Sequence, residues 1–392
     1  MSENEVKEKA KNILQKMRPM DYMILGIFVF LIIFTGTLFA EYQENSIVPI
    51  QDENRSWRLL EKAESAYDEH NFSRSAALAQ SAKINRQVEC KIYVNVLEEA
   101  LRPLSVQQVG DDIDAVLEIL EDRHSDEAIK IINDTVYSKG KDFFNNSVQN
   151  ILKYYQSYDI YPEADFLLAK IYRLEGEFDL AQQFYLNAWE NSDRLDIPSV
   201  KYDILYELAS LYKIRKDMDN YEKTLLLIVA DDKNFYQDGN PSKFLISVIS
   251  NVKRGTDLNK LFLLYRSDSY NQINAYFQLA QIYQEVQNYD KMLEVSIMAM
   301  LSTVTRIEQI LTERELEYSY KNFSNFFRLL NKHSDIVNWG IENEIWKGFY
   351  DFAICLGKNN LPEISKQMFQ INEKYSPEDY WKKKSAEMLK TL

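Results

Sequence analysis

The side chains able to do chemistry are few and scattered. Three histidines, His70, His124 and His333, lie far apart in a chain of 392 residues. A zinc protease needs two of them one turn apart on a helix, as in HExxH, and no such pair occurs. No P-loop, GxSxG or GxGxxG occurs, and ten dispersed glycines build no phosphate cradle. Cys90 and Cys355 make neither a CxxC nor a zinc pattern. The acidic pairs Asp111-Asp112, Glu121-Asp122 and Asp231-Asp232 read as helix-end or solvated-face residues. A calcium loop from Asp231 would need spaced oxygens around a central glycine, and the sequence there does not supply them. The expectation is a protein that is not an enzyme and holds no metal or cofactor.

The stretch that positions everything else is Tyr22 to Ala40, YMILGIFVFLIIFTGTLFA, bracketed by Asp21 and Glu41 and free of charge. Nineteen helical residues at ~1.5 Å each span about 28 Å, close to a hydrocarbon core of ~30 Å. A buried core helix would carry charge on some face. A cleaved signal peptide is the nearer rival, but the run exceeds the usual ~7–15 apolar residues. The reading is a retained transmembrane helix. Lys7, Lys9, Lys11, Lys16 and Arg18 precede it, whereas the first basic residue after it is Arg55. That bias keeps the N-terminus in the cytoplasm and sends the body across the membrane.

Composition narrows the class of the body. The chain holds 60 acidic and 46 basic residues, a formal charge of −14. The first twenty residues carry five bases and three acids, so the remainder stands at −16. Phosphate backbones repel such a surface, which excludes nucleic acid as a partner. Ten glycines and eight prolines are too few for a sheet protein, so the body is expected to be all-α. Tyr42 to Arg55, polar and interrupted by Pro49, reads as a tether.

A repeat search succeeds best at PEADFLLAKIYRLEGEFDLAQQFYLNA, Pro162 to Ala188. Leu168, Ala169 and Tyr172 are followed by the turn Gly176-Glu177-Phe178-Asp179, then by Ala181, Tyr185 and Ala188. Small residues let two antiparallel helices touch, and aromatics fill the space beside them. The segment resembles a tetratricopeptide repeat. Leu208-Ala209 with Tyr212, and Leu279-Ala280 with Tyr283, repeat its first helix. Their second helices depart, at Tyr221, Leu225 and Ile228 and at Met292 and Ser296. A looser copy runs through Ala63, Ala66, Phe72, Ser75, Ala79 and Ala82. Ser376-Pro377-Glu378-Asp379 reads as a capped start to a last helix, Tyr380 to Leu392, rich in lysine. The expected architecture is a single N-terminal transmembrane helix followed by a tetratricopeptide-like α-solenoid of helical hairpins. Its parts are a basic tail (1–20), the span (21–40), the tether (41–55), degenerate repeats (56–155) and a repeat array with a capping helix (156–392).

In this family the first helices line an extended concave face that binds peptides or helices. Carried over by position, the resemblance implies a protein-binding face with Glu163, Phe166, Lys170 and Arg173, then Asp203, Tyr206, Ser210 and Lys213, then Asn274, Phe277, Gln281 and Gln284. Phe166, Tyr206 and Phe277 form a row that either grips a partner or packs inside the stack. One anchor followed by an extracytoplasmic repeat array resembles bacterial envelope proteins, among them the repeat proteins of the spirochaete flagellar collar. The expected function is a scaffold for protein–protein contacts in a periplasmic or envelope machine such as the flagellar motor. It would sit in the inner membrane with its N-terminus cytoplasmic and its body periplasmic. The alternative is a chaperone-like holder of exported polypeptides near the translocon.

Overall fold

The computed structural model describes residues 52–101, 159–315 and 318–391. The basic tail, the Tyr22–Ala40 span, nearly all of the tether, His124 and the two acidic pairs at 111–122 lie outside the described residues. Among the described residues no helix is long and apolar enough to cross a membrane. The chain divides after Asp52, and Glu53–Leu392 forms one unit.

The described residues of that unit are all-α apart from one hairpin of two-residue strands. Its fifteen described helices are α1 (Ser56–Asp68), α2 (Phe72–Leu101), α3 (Pro162–Glu175), α4 (Phe178–Glu190), α5 (Val200–Ile214), α6 (Met218–Ala230), α7 (Lys243–Lys253), α8 (Leu258–Leu264), α9 (Ile273–Glu285), α10 (Tyr289–Arg314), α11 (Phe323–Leu330), α12 (Ser334–Glu342), α13 (Ile345–Lys358), α14 (Pro362–Tyr375) and α15 (Asp379–Leu389). Five antiparallel hairpins dominate: α1–α2, α3–α4, α5–α6, α9–α10 and α13–α14. Each packs its second helix on the first helix of the next hairpin in the series. The pairs α7–α8 and α11–α12 lie between hairpins in sequence, and α7 and α11 both pack on α10.

One turn closes all five hairpins. His70, Gly176, Lys216, Gln287 and Asn360 each take a left-handed φ of 55–82°. The next N–H then donates five residues back: Asn71 to Ala66 O, Glu177 to Tyr172 O, Asp217 to Tyr212 O, Asn288 to Tyr283 O and Leu361 to Leu356 O, at 2.8–3.0 Å. This closes the carbonyls that a helix end leaves open, and the following helix starts one residue later. Only one of the five is glycine, so four turns hold a side chain in a conformation that costs ~1–2 kcal/mol.

Counting from that turn residue aligns the hairpins. The residue seven before it is Ala63, Ala169, Ala209, Ala280 or Ala353, each almost or wholly buried. The residue five after it is Ser75, Ala181, Tyr221, Met292 or Ser365, again buried. Ser75 and Ser365 make the same bond, each donating its hydroxyl to the carbonyl of the alanine opposite (Ala63 and Ala353) at 2.7 Å. The fifth hairpin, with Phe352, Ala353, Leu356 and Phe369 all within the core, carries the pattern where the sequence reading did not find it. Helix α10 outgrows its hairpin. Its residues from Val295 to Thr305 are buried on every face, since α7, α9, α11 and α13 pack around it.

Three expectations are corrected. The last helix begins at Asp379 and Ser376 does not cap it; Ser376 instead ends α14, and its hydroxyl accepts from Glu378 N–H in a tight turn. Asp231 and Asp232 do stand at a helix end, that of α6, but Asp232 does not face solvent. It is 4% exposed and accepts from the Tyr276 hydroxyl at 2.7 Å and from Asn234 N–H. Asp238-Gly239 turns the chain between Tyr236 and Pro241 with both φ positive, a hairpin that the helical reading passed over.

Cys90 and Cys355 are both buried and are not joined in a disulfide. Burial pushes the Cys355 thiol up to about 12. Both thiols are therefore expected to react with an aromatic disulfide reagent at pH 8 on the order of a hundredfold slower in the native protein than in denaturant. Stopped-flow absorbance in the two solvents checks this, and equal rates would mean that the hairpins open freely.

Candidate functional site

The row of aromatics on the first helices exists, and each ring is seated on the next hairpin. Phe166 sits ten residues before its turn and is half-buried beside Tyr185, Ala188 and Ile204. Tyr206, at the same place in α5, donates its hydroxyl to Asn271 O at 2.6 Å and accepts from Ala275 N–H at the start of α9. Burial raises its pKa. Phe277, the equivalent in α9, is 8% exposed and lies on the backbone of Gly348 in α13. Tyr350 continues the row, packing its ring on Trp381 of α15. The position seals one hairpin to the next.

The polar members of the face are more open. The Lys170 ammonium lies 4.8 Å from the Phe166 ring and 5.0 Å from that of Tyr67. Arg173 pairs with Glu207 across α3 and α5 at 3.1 Å, and Glu163 accepts from Asp196 N–H. Asp203 and Lys213 are exposed, the latter 5.5 Å from the Tyr221 ring. Ser210 and Gln284 are half-buried, and Asn274 donates to the Asn343 side chain.

Two residues of that face meet at a cleft. Phe277, Ala280 and Gln281 of α9, Ser296 of α10 and Lys347, Gly348 and Asp351 of α13, with Glu344 just before it, line a void of about 260 Å³ counted to its open mouth. The void follows from the sequence. In α4 and α14 the residue nine after the turn is Tyr185 or Phe369, whose ring fills the space between helices. In α10 that residue is Ser296, which leaves the space empty. Its hydroxyl is buried and has no hydrogen-bond partner. Asp351 makes no hydrogen bond and no ion pair among the described residues. Lys347, the one base in the cleft, is held by Glu344 at 3.0 Å. Asp351, Glu344 and Lys347 were missed in the sequence because the fifth hairpin was missed; the departure at Ser296 was visible, though not the space it leaves.

Burial pushes the Asp351 carboxyl up to about 6; Lys347 pulls it down and Glu344 pushes it up further. The native state thus keeps a proton that the unfolded chain releases near pH 4, and stability falls as pH rises from ~4 through 6. Two pKa units bound the effect at ~3 kcal/mol, and ~1–2 kcal/mol survives screening at the mouth. Asp351→Asn is expected to gain that amount in urea unfolding at pH 7.5 and nothing at pH 4. Loss of stability at pH 7.5 would show that the carboxylate has a partner in the fold.

Among the described residues no group of His, Cys, Asp and Glu is placed to hold a metal ion. No known family model matches the chain. An uncharacterized protein of Treponema pallidum (strain Nichols) is 26% identical over 337 residues, covering 86% of this chain and 90% of that protein. An uncharacterized protein of Borreliella burgdorferi is 23% identical over 239 residues, 56% of this chain and 74% of that one. Both organisms are spirochaetes.

Proposed function

We propose that the chain is a non-enzymatic scaffold of the tetratricopeptide type, anchored in the inner membrane by Tyr22–Ala40, whose periplasmic body joins other proteins in an envelope machine such as the flagellar motor collar. The observation that carries this reading is the fivefold use of one turn and one helix register, with small or closely packed residues at each crossing. Stacked hairpins present long surfaces and are suited to holding partners in fixed geometry. The scattered chemistry of the sequence and the spirochaete relatives, one matched over nearly its whole length, support it.

Topology and partnership test the reading together. A reporter active only outside the cytoplasm, fused after Arg55, is expected to be active, and acidic replacements at Lys7, Lys9, Lys11, Lys16 and Arg18 should reduce it several-fold. An inactive unaltered fusion would overturn the orientation. Affinity purification of the full chain should then return a few proteins in constant ratio. Many unfolded clients held weakly would favour the holder of exported chains instead, and cryo-tomography of a deletion strain would show which machine loses density.

A further inference from the structure

The cleft between α9, α10 and α13 sets an unpartnered hydroxyl and an unpaired carboxylate in a largely apolar lining. Its floor is the unpartnered Ser296 hydroxyl, a buried group that gains a hydrogen bond from any donor entering. Asp351 stands in its wall without a partner, Gln281 offers an amide oxygen, and Phe277 supplies an apolar side. Glu344 and Asp351 outnumber Lys347, so the lining is net negative within a chain of charge −14. The enclosed part has room for one water-sized group, and the space around it opens to solvent. A compact ammonium matches so small an enclosed space better than a planar guanidinium does.

Resting on the scaffold reading above, we propose that this cleft receives the side chain of a lysine from a partner polypeptide. The ammonium donates to the Asp351 carboxylate, the Ser296 hydroxyl oxygen and the Gln281 amide oxygen, and the stem lies along Phe277. The charged groups acting on Asp351 are Glu344 and Lys347 on its own side; α9 and α10 contribute the neutral Gln281 and Ser296. Holding an uncompensated carboxylate costs stability in the free protein, and a bound lysine returns it.

The full chain in detergent is titrated by calorimetry with acetyl-Gly-Lys-Gly-amide and with its norleucine and arginine counterparts. The lysyl peptide should bind at least roughly tenfold more tightly than either. Asp351→Asn should remove that preference, and Ser296→Phe, which fills the void without changing charge, should remove binding altogether. Asp351→Asn is expected to melt no lower than the parent, so it stands even if Ser296→Phe does not fold. Equal binding of all three peptides, no binding to the parent, or a lysine preference that survives Asp351→Asn would each overturn the proposal and leave the cleft a water site. If partners still copurify in fixed ratio with Asp351→Asn, the scaffold stands and this cleft is not its contact; if none copurifies with the parent, the scaffold itself fails.

Discussion

Gly348→Ala is expected to destabilise the protein by ~1–3 kcal/mol, although alanine for glycine inside a helix ordinarily gains up to ~1 kcal/mol. A Cβ at that position would stand 2.1 Å from Cε1 of Phe277 and 2.7 Å from its Cζ. The ring is almost wholly buried and cannot simply swing into solvent. Phe277→Ala alone should cost ~3–5 kcal/mol by leaving a cavity between α9 and α13. In that background Gly348→Ala meets no ring, and it should be neutral or stabilising by up to ~1 kcal/mol. The sign reversal is the test, read from urea midpoints of the four proteins in a double-mutant cycle. If Gly348→Ala stabilises the parent, the seating of Phe277 on the α13 backbone is wrong, and so is the role of this row in joining hairpins.

The same pair illustrates what could be read before the fold was known. Leu168, Ala169, Tyr172, Ala181, Tyr185 and Ala188 gave their hairpin away because small and aromatic residues at close contacts have few substitutes. The α13–α14 hairpin hid because Ser365 and Asn372 occupy comparable contacts. Their polarity reads as surface, yet Ser365 donates to Ala353 O and Asn372 to Trp346 O inside the core. A polar side chain that closes on backbone behaves there as a small core residue. The turns hid for a related reason: with Lys216, Gln287 and Asn360 in the left-handed region, glycine marked only one hairpin in five. The row at Phe166, Tyr206 and Phe277 was legible as a row. Which way it faced was not, because that depends on the angle between successive hairpins, a property of the packed stack that no single helix encodes.

Lys83→Ala should cost ~3–5 kcal/mol and act on one hairpin alone. Residues 102–161 separate α2 from α3 in sequence, yet α2 packs directly on α3. The Lys83 ammonium reaches Asp165 at 2.5 Å, and that carboxylate is 3% exposed. Burial pushes the Asp165 carboxyl up, and only Lys83 pulls it back. Without Lys83 the charge is stranded, which is far costlier than never having placed the pair there. The contact of Lys83 with the Phe184 ring is lost with it, and the stranded charge sits beside the apolar cluster of Leu59, Ala63, Ala79, Leu167 and Leu168 that docks α1 and α2 on α3. Native-state hydrogen exchange should therefore show α1 and α2 opening at least tenfold more often while α5 to α14 keep their protection. Lys83→Met combined with Asp165→Leu should restore most of the loss, because an apolar pair of similar volume fills the site without a charge to strand. Protection lost evenly along the whole stack would show instead that the first hairpin and the rest unfold as one body.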